Sequence, residues 1–570
     1  MRSTFAGLNT MVSGLQTNRL SLETVGHNLT NANTDGYSRQ SVNQTATNGQ
    51  VIGTIGGTVI GGTGVTATSL TRARDIYADR QYWQENSTLS YYEYTATNYN
   101  KLETIFNDAD ENGIQDGLER FYTAWVDVST SASTATSRQN VIDQGQLLTE
   151  RLQAANTQLQ NQIVAIYDDM TLSIQEINSL TTEIVELNKN IQYQEATGAS
   201  ANDLKDQRDL LVDELSGYID LNVYEDANGN YKVVSNGTSL VNGVTKLTLE
   251  LSRPINNASY GVSDYVILIK ETDTSFIPGG GEVQAQLDAI EEDKEYMDYI
   301  SNIAAFMLTS LNAQHRAGAG IDADTTTGIN FYGEDGYVYE WDPDNNTVVK
   351  TKCEVEYTYA DKDDPDQPHT LVSVEYKTST DAKDKTTLKG LEVLAQLYVN
   401  PLLQEADTGQ TLLATRQIAF TDDKDVEYTN LIYPADGKYT VKDLNGSADG
   451  TVAVSISTLI NRDLDNTAEA EAAQALKGRP IGTVSLYAYY NSKMTSMGAN
   501  AEAMNVNVTF QSDVMEQIEN VRQSTAGVNY DEELSNMIMF QQGYQACSRC
   551  LNAMDEMLDK LINGTGTVGR

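Results

Sequence analysis

Apolar residues recur every three or four positions at both ends of the chain, and this pattern limits the possible folds more than any other feature. The N-terminal set has Asn18 as its one polar member and otherwise comprises Leu8, Met11, Leu15, Leu22, Val25 and Leu29. The C-terminal set comprises Met537, Phe540, Tyr544, Cys547, Leu551, Met554, Leu558 and Leu561. The spacing predicts two helices, each with an apolar seam. Little neighbouring sequence can cover either seam, so we expect the terminal helices to pair as a coiled coil, with each other or with a neighbouring copy.

The composition describes a large and strongly acidic protein. With 570 residues the chain is too long for one hydrophobic core, so several domains are expected. Its 38 Lys and Arg residues against 80 Asp and Glu residues give a formal net charge of −42. Such a surface repels phosphate backbones and anionic lipids, which argues against nucleic-acid binding. No apolar run approaches the roughly 20 residues that cross a bilayer, and the N-terminus lacks an apolar signal core. We therefore expect no membrane insertion, and either a cytoplasmic protein or one exported without a cleaved signal peptide.

Helical and β periodicity alternate along the chain. We predict an α+β multidomain fold, in which a discontinuous helical stalk is built from N-terminal and C-terminal segments and β-rich domains are inserted into it. The predicted segments are an N-terminal assembly segment of helix and β arm (1–71), a helical core in three parts (72–220, 282–334 and 480–526), an inserted β domain (221–281), an outer β-rich domain (335–479) and a C-terminal assembly helix (527–570).

Two local predictions concern single elements. The longest helical periodicity runs from Ile163 to Ile191, and a turn and a second helix follow, for which Asn202 is the predicted N-cap. This order indicates an antiparallel helical hairpin. In the outer β region, Thr451 to Ile456 form one of several alternating or continuous apolar patterns and are predicted to form a strand.

One segment fits a metal-binding pattern. Residues 108 to 119 match the EF-hand calcium loop, in which oxygen ligands alternate around a sharp glycine turn, and the candidate ligands are Asp108, Asp110, Asn112 and Glu119. Gln115 stands where that loop usually has an apolar residue, and no second copy is visible. Calcium binding is therefore the weaker hypothesis, and no metal is predicted.

Catalytic chemistry is not indicated. The chain has only three cysteines and three histidines, and it carries no nucleophile-and-base motif, so we predict neither an enzyme nor a cofactor. The pair Cys547 and Cys550 has C-x-x-C spacing but no second ligand pair, and we interpret both residues as packing positions on a helix.

The predicted N-terminal helix runs into the segment LTNANTDGY at 29–37. This segment resembles the N-terminal signature of bacterial flagellar rod, hook and hook-associated proteins, in which a helix ends in a turn of the form [S/T]-N-A-N-T-x-G-Y. The matching positions are Asn31, Asn33, Gly36 and Tyr37, and Asp35 replaces the usual proline.

Other stretches are similar to one family of that group, hook-associated protein 1. Residues 202–216 are similar to its D-x-R-D-x-L-x-x-x-L-S stretch, and Leu311 to His315 also match. The segments GVNYDEEL (527–534), FQQGYQA (540–546) and MDEML (554–558) look like its terminal signature, although Gly543 replaces an alanine and the cysteines are unusual there. The resemblance covers both ends and the helical core, and it leaves residues 338–479 unmatched.

The resemblance implies a structural subunit of the flagellum that forms the junction between hook and filament by helical self-assembly. The implied partners are further copies in a helical ring, the hook protein, a second hook-associated protein and an export chaperone. The implied location is extracellular, reached through the flagellar type III export channel. The resemblance also implies that residues 108–119 are a link between two helices. Two alternatives stay open, which are another axial flagellar protein and an adhesive protein that acts through the acidic outer β domain.

Overall fold

Helices dominate the computed structural model of the chain, which describes residues 6–54, 57–106, 113–360, 370–428, 436–461, 479–482 and 484–564. Antiparallel sheets are inserted between the helices, so the architecture is the α+β multidomain arrangement that the sequence predicts. Within the described ranges, no helix is both long enough and apolar enough to cross a membrane. The helices are α1 (Ala6–Thr30), α2 (Ile76–Phe106), α3 (Ile114–Thr130), α4 (Ala135–Ala196), α5 (Asn202–Tyr218), α6 (Gly281–Phe306), which continues as a π-helical turn (Met307–Leu311), α7 (Asn312–Arg316), α8 (Leu391–Ala395), α9 (Gly409–Leu412), α10 (Thr451–Asn461), α11 (Leu486–Ala526) and α12 (Tyr530–Gly564).

The long helices form the main hydrophobic core. In α4, side chains at intervals of three and four residues from Val141 to Ile191 are buried, because this spacing keeps them on one helical face. Helix α4 packs against α3, α5 and α6, and α11 packs along α2. The predicted α4–α5 hairpin is confirmed, but Asn202 is the first helical residue and not the N-cap. Its side-chain amide donates instead to Gln40 Oε1 (3.1 Å) and the Leu70 carbonyl (3.3 Å), and so fastens α5 to the β arm.

The strands form small sheets and one large sheet. Strand β1 pairs with β4 and β2 with β3 to form the β arm, and β5–β8 form a four-stranded sheet in sequence order. The large sheet has the order β14-β19-β21-β17-β16-β15, with β18 on β16 and β20 on β19, and it has a hydrophobic core of its own. The strands are β1 (Gln40–Ala46), β2 (Gln50–Thr54), β3 (Gly57–Gly61), β4 (Val65–Arg72), β5 (Asn222–Glu225), β6 (Tyr231–Ser235), β7 (Thr238–Asn242), β8 (Thr245–Lys246), β9 (Leu249–Leu251), β10 (Ile255–Asn257), β11 (Val262–Asp264), β12 (Ile267–Ile269), β13 (Thr274–Ser275), β14 (Gly318–Ala319), β15 (Tyr337–Asp342), β16 (Thr347–Tyr359), β17 (Leu371–Thr378), β18 (Lys385–Leu388), β19 (Arg416–Thr421), β20 (Glu427–Tyr428) and β21 (Gly437–Leu444).

The strand predicted for Thr451 to Ile456 is wrong, because these residues begin helix α10. Val452, Ile456 and Leu459 are buried at helical spacing, and α10 packs against α3 in the main core. Asp449 Oδ1 accepts hydrogen bonds from the Thr451 N–H (3.2 Å) and hydroxyl (2.6 Å), which stabilises the first turn. Burial on one helical face therefore overrides the β preference of the branched side chains.

Candidate assembly joint

The terminal helices α1 and α12 pack side by side and run antiparallel. A Cβ atom added to Gly14 would lie 3.0 Å from the Cys547 sulfur, and one added to Gly543 would lie 2.7 Å from Asn18 Oδ1. The two contacts fit one antiparallel alignment, because residue 14 of α1 lies beside residue 547 of α12 and residue 18 lies beside residue 543. Glycine at both places lets the helix backbones approach closely, because a side chain would occupy the space between them.

The predicted seam residues border this contact. On α1, Val25 is buried and the other five are half-buried, namely Leu8, Met11, Leu15, Leu22 and Leu29. On α12 the half-buried members are Phe540, Leu551, Met554 and Leu558. Tyr544 and Leu561 are 37% and 55% exposed. Leu15 directly follows a contact glycine and therefore lies about 100° further round the helix. In the single chain the helices meet through small residues at Gly14 and Gly543, and Met554 of the predicted seam packs against Gly7, where an added Cβ would lie 3.0 Å from its methyl carbon.

A second face of α12 carries apolar side chains that are more than half exposed in the single chain. Met539 and Met557 are 55% and 61% exposed. The exposed residues Ala546 and Cys550 lie between them on the same side of the helix. An exposed apolar stripe of this length marks an interaction surface.

Asn28, near the end of α1, joins three segments of the chain. Its amide donates to the Gln40 carbonyl in β1 (2.9 Å) and to Glu533 Oε2 in α12 (3.2 Å). Its Oδ1 accepts from the Gln40 N–H (3.0 Å) and the Tyr37 hydroxyl (2.8 Å). Asn28 is 1% exposed and Glu533 is 3% exposed, so water cannot easily replace these hydrogen bonds.

The predicted signature turn follows directly. The Asn31 amide donates to a carbonyl in the last turn of α1 (3.0 Å) and helps to end the helix. Gly36 has a φ of 74°, in the left-handed region, and an added Cβ would lie 3.3 Å from Leu210 Cβ. Burial and nearby carboxylates raise the pKa of the Tyr37 phenol, so it stays a hydrogen-bond donor. Asn33 is exposed. The turn therefore holds the chain against α5 at the point where α1 ends.

Two arginines that follow the β arm fasten it to the helical core. Arg72 Nη1 lies 2.7 Å from Asp206 Oδ1 and 2.8 Å from Asp209 Oδ2, both on α5. Arg74 Nε lies 2.8 Å from Asp79 Oδ2 on α2 and 3.4 Å from Asp209 Oδ2. Burial alone would raise the pKa of Asp209, but the two arginines outweigh it and hold that pKa below its usual value.

Helix α11 joins the same cluster through Arg522. Its Nη2 lies 2.6 Å from Asp213 Oδ2 on α5, and its Nε lies 3.1 Å from Asp79 Oδ1 on α2. The guanidinium carbon lies 4.1 Å from the ring centre of Tyr82. Asp213 also accepts the Trp83 indole N–H (2.6 Å), yet burial keeps its pKa raised. This ionic cluster fixes the place where both terminal segments leave the helical core.

A cavity of about 460 Å³ lies beside the cluster, between the signature turn, α5 and the end of α11. Its charged lining includes Arg74, Asp79, Asp213 and Arg522, which already pair with one another. Groups that satisfy each other in this way suit a structural joint between segments of the chain.

The candidate calcium loop cannot be placed in full. Asp108, Asp110 and Asn112 lie outside the described residues, and Glu119 is exposed on α3. In the part of the chain that the structure describes, no group of three or more His, Cys, Asp or Glu side chains could hold a metal ion. Of the C-x-x-C pair, Cys547 is half-buried against α1 and Cys550 is exposed.

Sequence reasoning missed the residues that bind most strongly at the joint. A search for apolar periodicity cannot detect polar residues, and these residues are all polar: Asn28, Asp206, Asp213 and Arg522. A usable signal existed for α5, where acidic residues recur at 206, 209 and 213 with helical spacing and therefore lie on one face.

Family models match three parts of the chain. The model described as the flagellar hook-associated protein FlgK helical domain matches residues 99–332. The C-terminal model of the flagellar basal body rod FlgEFG proteins matches residues 522–564, and the flagella basal body rod protein model matches residues 8–37. The last two matches include α12 and most of α1, and the first includes helices α3–α7 together with the strands β5–β14.

Curated relatives align over the whole length. Flagellar hook-associated protein 1 of Bacillus subtilis is 26% identical over 589 aligned positions, which span 100% of each chain. The protein of the same name from Salmonella typhimurium is 24% identical and spans 98% of this chain and 99% of its own. Among solved structures, the flagellar hook junction protein FlgK from Burkholderia pseudomallei superposes with a TM-score of 0.53 at 17% identity, covering 78% of this chain and 100% of that one. This last likeness concerns the fold alone.

Proposed function

We infer that this chain, which belongs to the flagellar hook-associated protein 1 family, is a structural subunit of the bacterial flagellum at the junction between hook and filament. The observation that carries the inference is the match of relatives over the full chain together with a terminal helix pair that leaves an apolar stripe exposed. The match of the hook-associated helical domain at 99–332 separates it from rod proteins, whose models match the two ends.

The terminal helices α1 and α12 act as the assembly element and pair as a coiled coil. Gly14 and Gly543 support this pairing, because they allow close approach along one register. The exposed stripe of Met539 and Met557 can then meet a neighbouring copy. Each of these side chains gains about 1.5–3 kcal/mol when it is fully buried. That gain offsets the conformational entropy of ordering the helix ends, which costs roughly 1–2 kcal/mol per residue.

Identical subunits that meet through two different surfaces build a helical ring or tube. The stripe on α12 and the half-buried leucines of α1 are two such surfaces, which supports head-to-tail packing between copies. The ring has two unlike ends, so the hook protein binds one end and a second hook-associated protein binds the other.

Before assembly the stripe needs protection from water. An export chaperone that covers α12 in the cell supplies it, and the subunit then reaches the extracellular flagellum through the type III export channel. The exposure of Met539 and Met557 in the single chain supports this step, because an exposed apolar helix face promotes aggregation.

The test replaces the stripe and leaves the α1 contact intact. The variant Met539→Ser, Met557→Ser is expected to fold as the parent does, because these side chains are exposed in the single chain. In a strain that carries only this variant, negative-stain images should show hooks without filaments. Deleting residues 540–570 should give the same result more severely.

The matched control places serine on the opposite, polar side of the same helix, as Gln541→Ser, Gln545→Ser and Asn552→Ser. This control should assemble filaments normally. Filaments and motility that survive both the stripe variant and the deletion would refute the proposed assembly role of α12.

A further inference from the structure

Asp293 lies where α2, α4 and α6 meet, and its side chain is completely buried. Its Oδ1 accepts hydrogen bonds from the Asn98 amide of α2 and the Gln162 amide of α4, both at 3.2 Å. The Gln162 amide also donates to Asn98 Oδ1 (2.7 Å). Among the described residues, Oδ2 of Asp293 has no hydrogen-bond partner and no cation forms an ion pair with it. Two hydrogen bonds from neutral amides to one oxygen do not offset the free-energy cost of burying a charged carboxylate.

The groups around it do not supply that compensation. Helix α2 faces it with the Tyr94 phenol and with Lys101, whose side chain is exposed. Helix α4 contributes the neutral amide already described. On α6 itself the neighbours are Glu292, which adds repulsion, and the Tyr296 phenol. The hydroxyl groups of both tyrosines are buried without a partner among the described atoms.

We propose that Asp293 makes the stability of the helical core depend on protonation, because the neutral acid fits the α2–α4–α6 contact and the carboxylate weakens it. This inference stands apart from the proposed function. Burial raises the pKa of Asp293 to about 7 from an ordinary value of 3.8, although the two amides and Lys101 act in the opposite direction. A raised pKa in the folded state adds stability that is complete below about pH 4 and is lost as the pH rises through about 7. The core is therefore weaker at neutral and alkaline pH than in mild acid.

Other carboxyl groups on α6 are less buried than Asp293. Glu282 and Glu292 are half-buried, and Asp288 and Asp298 are exposed. Water can therefore reach their charge, whereas Asp293 has no route to solvent. Asp288 is exposed, and its carboxylate accepts a hydrogen bond from the Tyr91 hydroxyl at the surface (2.9 Å). It is therefore a matched control position on the same helix.

The test compares Asp293→Asn with Asp288→Asn in the full-length chain. Asparagine keeps the accepting oxygen of Asp293 and replaces the unpartnered oxygen with an uncharged amide. Denaturant unfolding is followed by the fluorescence of Trp83 and Trp125, which lie in the helical core, in a Trp341→Phe background. Between pH 5.5 and pH 8.0 the unfolding equilibrium constant of the parent should rise roughly 30-fold more than that of Asp293→Asn. Asp288→Asn should follow the parent.

Equal pH dependence in the parent and in Asp293→Asn would overturn the proposal. A second measurement uses the unaltered chain, so that it does not depend on the variant folding. Hydrogen exchange, corrected for its intrinsic pH dependence, should show that peptides from α4 and α6 lose more protection between pH 5.5 and pH 8.0 than peptides from the large sheet. Equal losses in the two regions would also overturn it.

Discussion

Replacing Asn28 by alanine should detach the terminal segments from one another. The side chain makes four buried hydrogen bonds, which reach β1, the signature turn and α12. At roughly 1 kcal/mol each, their loss destabilises this contact by about 4 kcal/mol. Part of that value comes from Glu533, which is 3% exposed and loses the donor that Asn28 gives it. Asn33→Ala is the control, because this side chain is exposed and its loss should cost less than about 0.5 kcal/mol.

Hydrogen exchange measures the effect locally, which matters because a chain of several domains has no single unfolding free energy. A loss of about 4 kcal/mol corresponds to a roughly thousandfold fall in the protection of amides in β1 and the end of α1. Amides in the middle of α4 should keep their protection, since no bond of Asn28 reaches them. Unchanged protection in β1, or an equal fall in α4, would refute the assignment of Asn28 as the local link.

Three further predictions concern other parts of the chain. Arg522→Ala should destabilise the contact between α2, α5 and α11 by about 3–5 kcal/mol in denaturant titration, because the buried Asp213 loses its ion-pair partner and Asp79 keeps only Arg74. Lys493→Ala at a surface ion pair should cost less than about 1 kcal/mol. Gly14→Leu should separate α1 from α12 and lower the helical circular dichroism, whereas Gly26→Leu, where an added Cβ meets nothing within 4 Å, should leave it equal or higher. Burial lowers the pKa of His315 to about 4, so the stability that the neutral imidazole contributes is complete above pH 6.5 and is lost as the pH falls towards 4. His315→Phe should therefore reduce the pH dependence of the unfolding free energy in that range, and an unchanged dependence would contradict this.

Local periodicity predicted the order of helices and strands well. The α4–α5 hairpin, the β arm and the two terminal helices all follow from residues that are close in sequence. The failure at Thr451 to Ile456 has a physical cause, because branched residues favour a strand locally while contact with α3 decides in favour of a helix. Asp449, just before that helix, was the overlooked start signal.

The terminal contact shows a similar limit. The three-four spacing correctly marked α1 and α12 as amphipathic helices, and Met554 of the predicted seam lies against Gly7 of α1. The spacing gave no weight to Gly14, Asn18 and Gly543, which also meet in this contact. Rotation of one helix about its axis by a single residue changes which side chains face the partner, and no local pattern fixes that rotation.

The sequence by itself determined that this chain has amphipathic helices at both ends, helical segments interrupted by β segments, and the signature turn of the flagellar axial proteins. These properties depend on residues within a few turns of one another, so their spacing encodes them directly. Only the tertiary structure decided that Asn28 joins α1 to α12, that Arg522 closes an ionic cluster on α5, and that Asp293 is buried without a counter-charge. These contacts join residues far apart in the chain, and their energies depend on distance and on exclusion of water, which exist only once the helices have packed.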